Sequence, residues 1–195
     1  MQNLPLFAVD LAASFVLAAA ASCRARSTGA HFSGAAVLAC LAGMAAPLAR
    51  DGLLGFAAMT LNQGEYLAVS VCGAIIGMVA GQGSRAWLAF FWLDAAGLAL
   101  GAGVATVRGI MFGLGPTGSL VLGVIGGLAG GLVRDVCLGD MARAVEEDMY
   151  ATAAALGGML ALALLLLGGL PEWLCALSGA AVALALRGMK KAVIS

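Results

Sequence analysis

Seven long apolar segments, separated by short polar or glycine-rich connections, dominate this chain of 195 residues. Each approaches the roughly 20 residues that an α-helix needs to cross the hydrocarbon core of a bilayer. Long Ala and Leu runs argue against a transmembrane β-barrel, whose strands alternate polar and apolar residues. The pattern predicts an all-α integral membrane protein of seven transmembrane helices, at residues 4–22, 31–49, 66–82, 87–107, 115–133, 150–168 and 171–187.

Composition agrees with this class. Hydrophobic residues make up 63% of the chain and charged residues only 10%, whereas a soluble domain carries about 25% charged residues to cover its surface. The surface of this protein must therefore face lipid. The formal net charge is zero and no basic patch is present, which excludes nucleic acid as a partner.

Basic residues are distributed unequally between the two sets of connections, and this distribution predicts the orientation in the membrane. Only Arg50 and Arg108 fall on one side. Eight fall on the other: Arg24, Arg26, Arg85, Arg134, Arg143, Arg187, Lys190 and Lys191. Because cytoplasmic connections are enriched in Lys and Arg, the N-terminus is predicted outside and the C-terminus in the cytoplasm.

The sequence also repeats itself at a spacing of 84 residues. Residues 50–55, RDGLLG, match residues 134–139, RDVCLG, and the same gapless register pairs two Asp, two Tyr and several Gly residues. Each copy holds three predicted helices, and an odd number makes the second copy enter the membrane from the opposite side. We therefore predict inverted repeats at residues 1–84 and 85–168, followed by a seventh helix and basic tail at 169–195.

The middle helices of the two copies, the second and the fifth, carry residues that weaken a helix. The fifth is dense in glycine, and the second contains a proline whose missing amide leaves a carbonyl without its helical donor. Tight packing through small residues is one interpretation. The other is a pair of broken helices that lines an ion path with backbone carbonyls. The candidate path residues are Gly43, Pro47, Gly126, Gly127, Gly130 and Gly131.

Charged residues accompany both middle helices. Either they lie at the headgroups with the arginine side chains extended to water, or they are partly buried along a polar path, since charges that face lipid at mid-depth are costly. The repeat register suggests that the two aspartates in the first and fourth helices share one role, either pairing with a repeat arginine or lining a vestibule. The candidate path charges are Asp10, Arg50, Asp51, Asp94, Arg134 and Asp135. Residues 146–148, EED, are predicted to form a solvated cytoplasmic loop.

Three segments in the second half resemble a known family: residues 92–98, WLDAAGL; residues 126–139, GGLAGGLVRDVCLG; and residues 149–152 with 156–158, MYAT and LGG. They resemble the bacterial branch of the trimeric intracellular cation (TRIC) channel family, also known as the glycine transporter domain family. The first half departs from the family pattern: residues 43–51 keep Arg-Asp but lack most of the glycines. The resemblance implies a homotrimer in the bacterial inner membrane, with a potassium-selective pore in each protomer.

The leading hypothesis for function is a monovalent cation channel with potassium as the permeant ion and no cofactor. A small-solute secondary transporter of the glycine type is the alternative, and a structural or assembly subunit is a third possibility. An enzyme is not expected, because the sequence contains no metal-ligand cluster and no Ser-His-Asp set. Its glycine-rich runs lie inside apolar helices, so they are not phosphate-binding loops. The five cysteines form no CxxC pair and are interpreted as small buried hydrophobic residues.

Overall fold

The structure, a computed structural model, describes residues 3–55, 60–147 and 149–194, with side chains described to residue 189. These residues form α-helices joined by short turns. The helices are α1 (Leu4–Ser27), α2 (Phe32–Leu53), α3 (Gly64–Ala80), α4 (Ala86–Met111), α5 (Pro116–Leu138), α6 (Arg143–Glu146), α7 (Tyr150–Leu167) and α8 (Glu172–Ile194).

Each of the seven predicted segments overlaps one helix of the structure. Six of these helices (α1, α2, α4, α5, α7 and α8) are long and apolar enough to cross a membrane, and α3 is a shorter apolar helix of 17 residues. The protein is thus a multi-pass, all-helical membrane protein. The four-residue helix α6, which connects α5 to α7, was not predicted.

Helices α1, α2 and α5 continue beyond their predicted ends. α1 ends at Ser27 rather than at residue 22, and α5 ends at Leu138 rather than at residue 133. The prediction placed the ends where the first charged residues occur. The helices continue because several of these charges have partners inside the protein and need no exit to water.

The turns after equivalent helices have the same conformation. Gly29 and Gly113 follow α1 and α4, and both have φ of +87°. Beside them, the amide of Ala30 donates to the carbonyl of Ala25 and that of Leu114 to the carbonyl of Gly109, each at 2.9 Å. Glycine adopts this left-handed conformation without steric cost, so it ends both helices in the same way.

α1 and α4 are the central helices of the bundle. α1 packs against α2, α3 and α4, and α4 packs in addition against α5, α7 and α8. α2 and α5 pack against each other, while α8 lies on α4 and α7. The contacts between helices are made largely by Ala and Gly, which let helix backbones approach closely in a membrane.

α2 and α5 are each a single uninterrupted helix, so the prediction that both are broken is wrong in this respect. Pro47 lies inside α2, and the glycines 126, 127, 130 and 131 lie inside α5. One proline removes only one amide donor, and the neighbouring hydrogen bonds keep the helix continuous. The glycines keep helical geometry because the helices packed against them leave little freedom.

Candidate functional site

Four helices bring charged side chains together around Asp10. The guanidinium of Arg50, near the end of α2, lies 2.6 Å from Asp10 Oδ2, and the hydroxyl of Tyr66, at the start of α3, donates to the same oxygen at 2.6 Å. Arg108, near the end of α4, approaches it at 3.1 Å. Together with Asp51, these residues form what we name the first cluster.

Asp51 connects the first cluster to the loop that follows α2. Its Oδ1 lies 2.9 Å from Arg50 Nη2. Its Oδ2 accepts a hydrogen bond from the amide of Thr60 at 3.0 Å and another from the Thr60 hydroxyl. A carboxylate that is buried and accepts several hydrogen bonds is held in one position. The Arg50–Asp51 pair therefore fixes the end of α2 relative to α1 and α3.

An equivalent arrangement surrounds Asp94 in α4. Arg134, near the end of α5, forms an ion pair with Asp94 Oδ1, and the hydroxyl of Tyr150, at the start of α7, donates to Asp94 Oδ1 at 3.0 Å. Arg187 of α8 lies 3.4 Å from Asp94 Oδ2. Arg134 Nη2 also lies 2.6 Å from Asp135. These five residues, with Arg143 and Glu147, form the second cluster.

Arg143 and Glu147 close the second cluster at its outer edge. The amide of Arg143 donates to Asp135 at 3.0 Å, as that of Thr60 does to Asp51. Glu147 lies 3.1 Å from both Arg143 and Arg187. The prediction that residues 146–148 form a solvated loop is therefore wrong for Glu147, because two buried arginines hold its carboxylate; Asp148 lies outside the described residues.

The two clusters are equivalent in the 84-residue register. Asp10 corresponds to Asp94, and the Arg-Asp pairs and the tyrosines correspond as well. The first cluster balances two carboxylates with two arginines, and the second balances three with three. Charges taken out of water are tolerated only when they are fully paired. Of the two interpretations left open for these residues, burial is the one observed, and each aspartate pairs with its repeat arginine.

The symmetry fails at one arginine in each half. Arg108 reaches across to Asp10, but its counterpart Arg24 pairs with Asp140 at 2.9 Å, with the two side chains 26% and 35% exposed. Arg24 also lies against the rings of Trp87 and Phe90. In the second cluster the corresponding place is filled by Arg187 and Arg143. The C-terminal helix, which has no counterpart in the repeat, therefore completes the second cluster.

The central glycines of α2 and α5 are packing positions with matching contacts. A Cβ atom on Gly43 would lie 2.8 Å from the carbonyl oxygen of Ser14 and 3.0 Å from Ala18 Cβ. A Cβ atom on Gly127 would lie 2.9 Å from the carbonyl oxygen of Leu98 and 3.0 Å from the Cβ of its neighbour Ala102. Each glycine thus lets the middle helix approach the first helix of its own half.

The other glycines of α5 face different neighbours. A Cβ atom on Gly126 would lie 2.7 Å from Ala105 in α4, and one on Gly131 would meet the Tyr150 hydroxyl. A Cβ atom on Gly130 would lie 2.8 Å from the carbonyl oxygen of Ala42, in α2. In this conformation the predicted path residues are therefore packed against helices, and of the α5 set Gly130 is the one at the contact with α2.

Sequence reasoning missed several members of the clusters. Tyr66 and Tyr150 were matched in the repeat but given no role, and Arg108 was counted only as a basic residue at a helix end. The register itself was the signal, because residues that recur together at one spacing also meet in space. Arg187 has no counterpart, so nothing in the repeat could have identified it.

The described residues form a multi-pass helical membrane protein in which two sets of paired charges are buried between helices. Residues 91–165 match the family model described as Glycine transporter. The fold is similar to the crystal structure of the TRIC trimeric intracellular cation channel orthologue from Rhodobacter sphaeroides, with a TM-score of 0.86 and 24% identity, over 94% of this chain and 95% of that one.

Two curated relatives extend the comparison. The UPF0126 membrane protein of Deinococcus radiodurans is 31% identical over 128 residues, 64% of this chain and 60% of the relative. The UPF0126 inner membrane protein YadS of Escherichia coli K12 is 36% identical over 67 residues, 34% of this chain and 32% of the relative. The alignments thus span less than two thirds of these relatives. The predicted resemblance is confirmed: residues 91–165 match the Glycine transporter family model, and the fold is similar to that of a bacterial TRIC channel.

Proposed function

We propose that this protein is a monovalent cation channel, with potassium as the main permeant ion and a path inside each protomer between α2 and α5. The observation that carries the proposal is the pair of equivalent buried clusters, each at the end of one of these two helices, in a fold similar to that of a cation channel. With the halves inverted, one cluster lies at each membrane face. An odd number of membrane crossings would put the two termini on opposite sides, and the excess of basic residues favours a C-terminus in the cytoplasm and an N-terminus outside.

The chemistry of the α2–α5 contact suits a cation. Where the two helices meet, Gly130 of α5 faces the backbone carbonyl of Ala42, and the Leu17 side chain of α1 packs against the same glycine. Carbonyl oxygens can replace the hydration shell of a monovalent cation, and no charged side chain is needed. The clusters, with their charges balanced, hold the helix ends while a small separation of α2 and α5 opens the path.

We further propose that the protein is a homotrimer in the inner membrane of a bacterium. The proposal is supported by two similar proteins, the TRIC trimeric intracellular cation channel orthologue of Rhodobacter sphaeroides and the inner membrane protein YadS of Escherichia coli. The mass of the purified protein in detergent, corrected for bound detergent, should equal three chains. A stable monomer or dimer would contradict the assembly and leave the path within one protomer intact.

A small-solute transporter is the second candidate, because the matching family is described as a glycine transporter. Recognition of glycine needs a cationic and an anionic partner for its carboxylate and ammonium groups at mid-membrane. The buried charges of the described residues are committed to one another in the two clusters. Permeation therefore fits the structure better than solute binding.

Flux into liposomes separates these functions. Liposomes that contain the pure protein should take up potassium, and not choline or glycine, faster than empty liposomes. Gly130→Ala, which adds a methyl group at the α2–α5 contact, should slow uptake; Gly34→Ala, where a Cβ atom meets nothing within 4 Å, is the matched control. Glycine uptake without potassium uptake would contradict the channel and favour the transporter. Equal rates of potassium uptake for the two variants would show that the path does not pass through this contact.

A further inference from the structure

A second polar layer lies next to the first cluster and has no equivalent in the other half. Ser14 follows Asp10 by four residues in α1, so both side chains project from the same face of the helix. That face meets Arg50 and Tyr66 through Asp10. The Ser14 side chain is fully buried, and its hydroxyl has no hydrogen-bond partner among the described residues.

Ser70 of α3 and Gly43 of α2 belong to the same layer. A Cβ atom on Gly43 would lie 2.5 Å from Ser70 Oγ and 2.8 Å from the Ser14 carbonyl oxygen, so three helices meet here. The Ser70 hydroxyl donates to the carbonyl of Tyr66 at 2.7 Å. Its oxygen lone pairs stay available, since a hydroxyl is one donor and two acceptors.

Pro47 adds a third oxygen to the layer. In a helix the carbonyl of Gly43 would accept a hydrogen bond from the amide of residue 47, and proline has none. The Gly43 carbonyl therefore lacks its helical donor at the level of α2 where Ser14 and Ser70 pack. An unsatisfied hydroxyl and an unsatisfied carbonyl, buried together, cost free energy unless a water molecule or an ion satisfies them.

The equivalent layer of the second half is apolar. In the 84-residue register Ser14 corresponds to Leu98, Ser70 to Ala154 and Pro47 to Gly131. Leu98 and Ala154 are fully buried in one apolar group with Tyr150. Gly131 retains its amide, so the carbonyl of Gly127 keeps its helical donor. The two halves thus share the charged cluster but differ in the layer beneath it.

We infer that the Ser14 and Ser70 hydroxyls, with the Gly43 carbonyl, bind a partly dehydrated monovalent cation, so that the permeant ion resides in the first half and meets its barrier in the second. This inference rests on the proposed function. Neutral hydroxyl and carbonyl oxygens suit potassium or sodium, because they replace water without holding the ion too tightly to leave. The balanced first cluster adds no net charge that would repel the cation.

Cation-dependent stability of the full-length protein in detergent tests the site without any flux. Thermal unfolding is followed as potassium chloride replaces choline chloride at constant ionic strength, because an ion that binds only the folded state raises the unfolding midpoint. Ser14→Ala and Ser70→Ala should each raise the potassium concentration for half-maximal stabilisation by about fivefold, the effect of one lost polar contact. Ser22→Ala is the matched control, since that buried hydroxyl in the same helix bonds to the Ala18 carbonyl at 3.1 Å.

Three outcomes would overturn the inference. First, potassium does not stabilise the parent protein more than choline does, which means that water alone fills the layer. Second, Ser14→Ala and Ser70→Ala keep the parent's potassium concentration for half-maximal stabilisation. Third, Ser22→Ala raises that concentration as much as they do. Failure of the proposed function is distinguishable from failure of this inference, because it is seen as absent potassium flux in liposomes, independently of the unfolding midpoints. Without potassium, Ser14→Ala should be at least as stable as the parent, since it removes an unsatisfied buried hydroxyl.

Discussion

The two halves of this protein share an architecture and differ in what completes it. In both, the first helix carries an aspartate that pairs with the arginine of the middle helix and the tyrosine of the third. The first half borrows Arg108 from the second, whereas the second half takes Arg187 from α8. The shared cluster thus joins equivalent helices in both halves, and the unshared arginines give each end its own chemistry.

This difference assigns a purpose to α8. The helix packs on α4 and α7 and brings one buried arginine to Asp94, where the guanidinium also lies 4.3 Å from the ring of Tyr150. Three arginines lie around this one fully buried carboxylate, so its removal takes a shared partner from three guanidinium groups at once. The second cluster should therefore be the more sensitive of the two.

The largest effect is expected from Asp94→Asn. Breaking a buried ion pair leaves an uncompensated charge and costs about 3–5 kcal/mol of unfolding free energy. Asp10→Asn should cost less, because among the described residues two arginines, Arg50 and Arg108, pair with Asp10. Thermal unfolding in detergent measures both. Asp140→Asn is the control, since its partly exposed pair with Arg24 is worth about 0–1 kcal/mol. Equal losses for Asp94→Asn and Asp140→Asn would show that the clusters are not the critical contacts.

An intermediate and nearly equal effect is expected from Gly43→Ala and Gly127→Ala. Both methyl groups would press on a backbone carbonyl of the first helix in the same half, and such overpacking costs about 1–3 kcal/mol. Gly34→Ala and Gly118→Ala are equivalent controls at positions with open space or ordinary contacts, and they should be neutral. The same unfolding assay compares all four. A large difference between Gly43→Ala and Gly127→Ala would break the equivalence of the halves.

The smallest effect is expected at the arginine where the halves diverge. Arg24→Gln removes a partly exposed ion pair and should change stability by about 0–1 kcal/mol. Arg108→Gln removes a contact with buried Asp10 and should cost more. If Arg24→Gln proved the more damaging variant in the unfolding assay, the first cluster would not depend on the arginine supplied by the second half.

The sequence predicted much of this structure because the membrane limits what a chain can do. Apolar runs located the helices, and the spacing of 84 residues linked Asp10 with Asp94. It did not predict that α2 and α5 stay continuous, because the glycine pattern of a tightly packed helix is the same as that of a broken one. Arg187 was missed because it lies far along the chain from Asp94 and has no counterpart in the repeat. Glu147 was missed because its acidic run is typical of a solvated loop.

The account depends most on the two halves having opposite directions, since only then do the clusters stand at opposite ends of one path. Ser27 and Met111 occupy equivalent exposed positions at the ends of α1 and α4. A cysteine is placed at each of these positions and labelled in intact cells with a membrane-impermeant maleimide. Labelling of the parent protein, with its five cysteines, gives the background. The account predicts that Met111→Cys is labelled and that Ser27→Cys is labelled only after the cells are opened. Labelling of both from one side would contradict it.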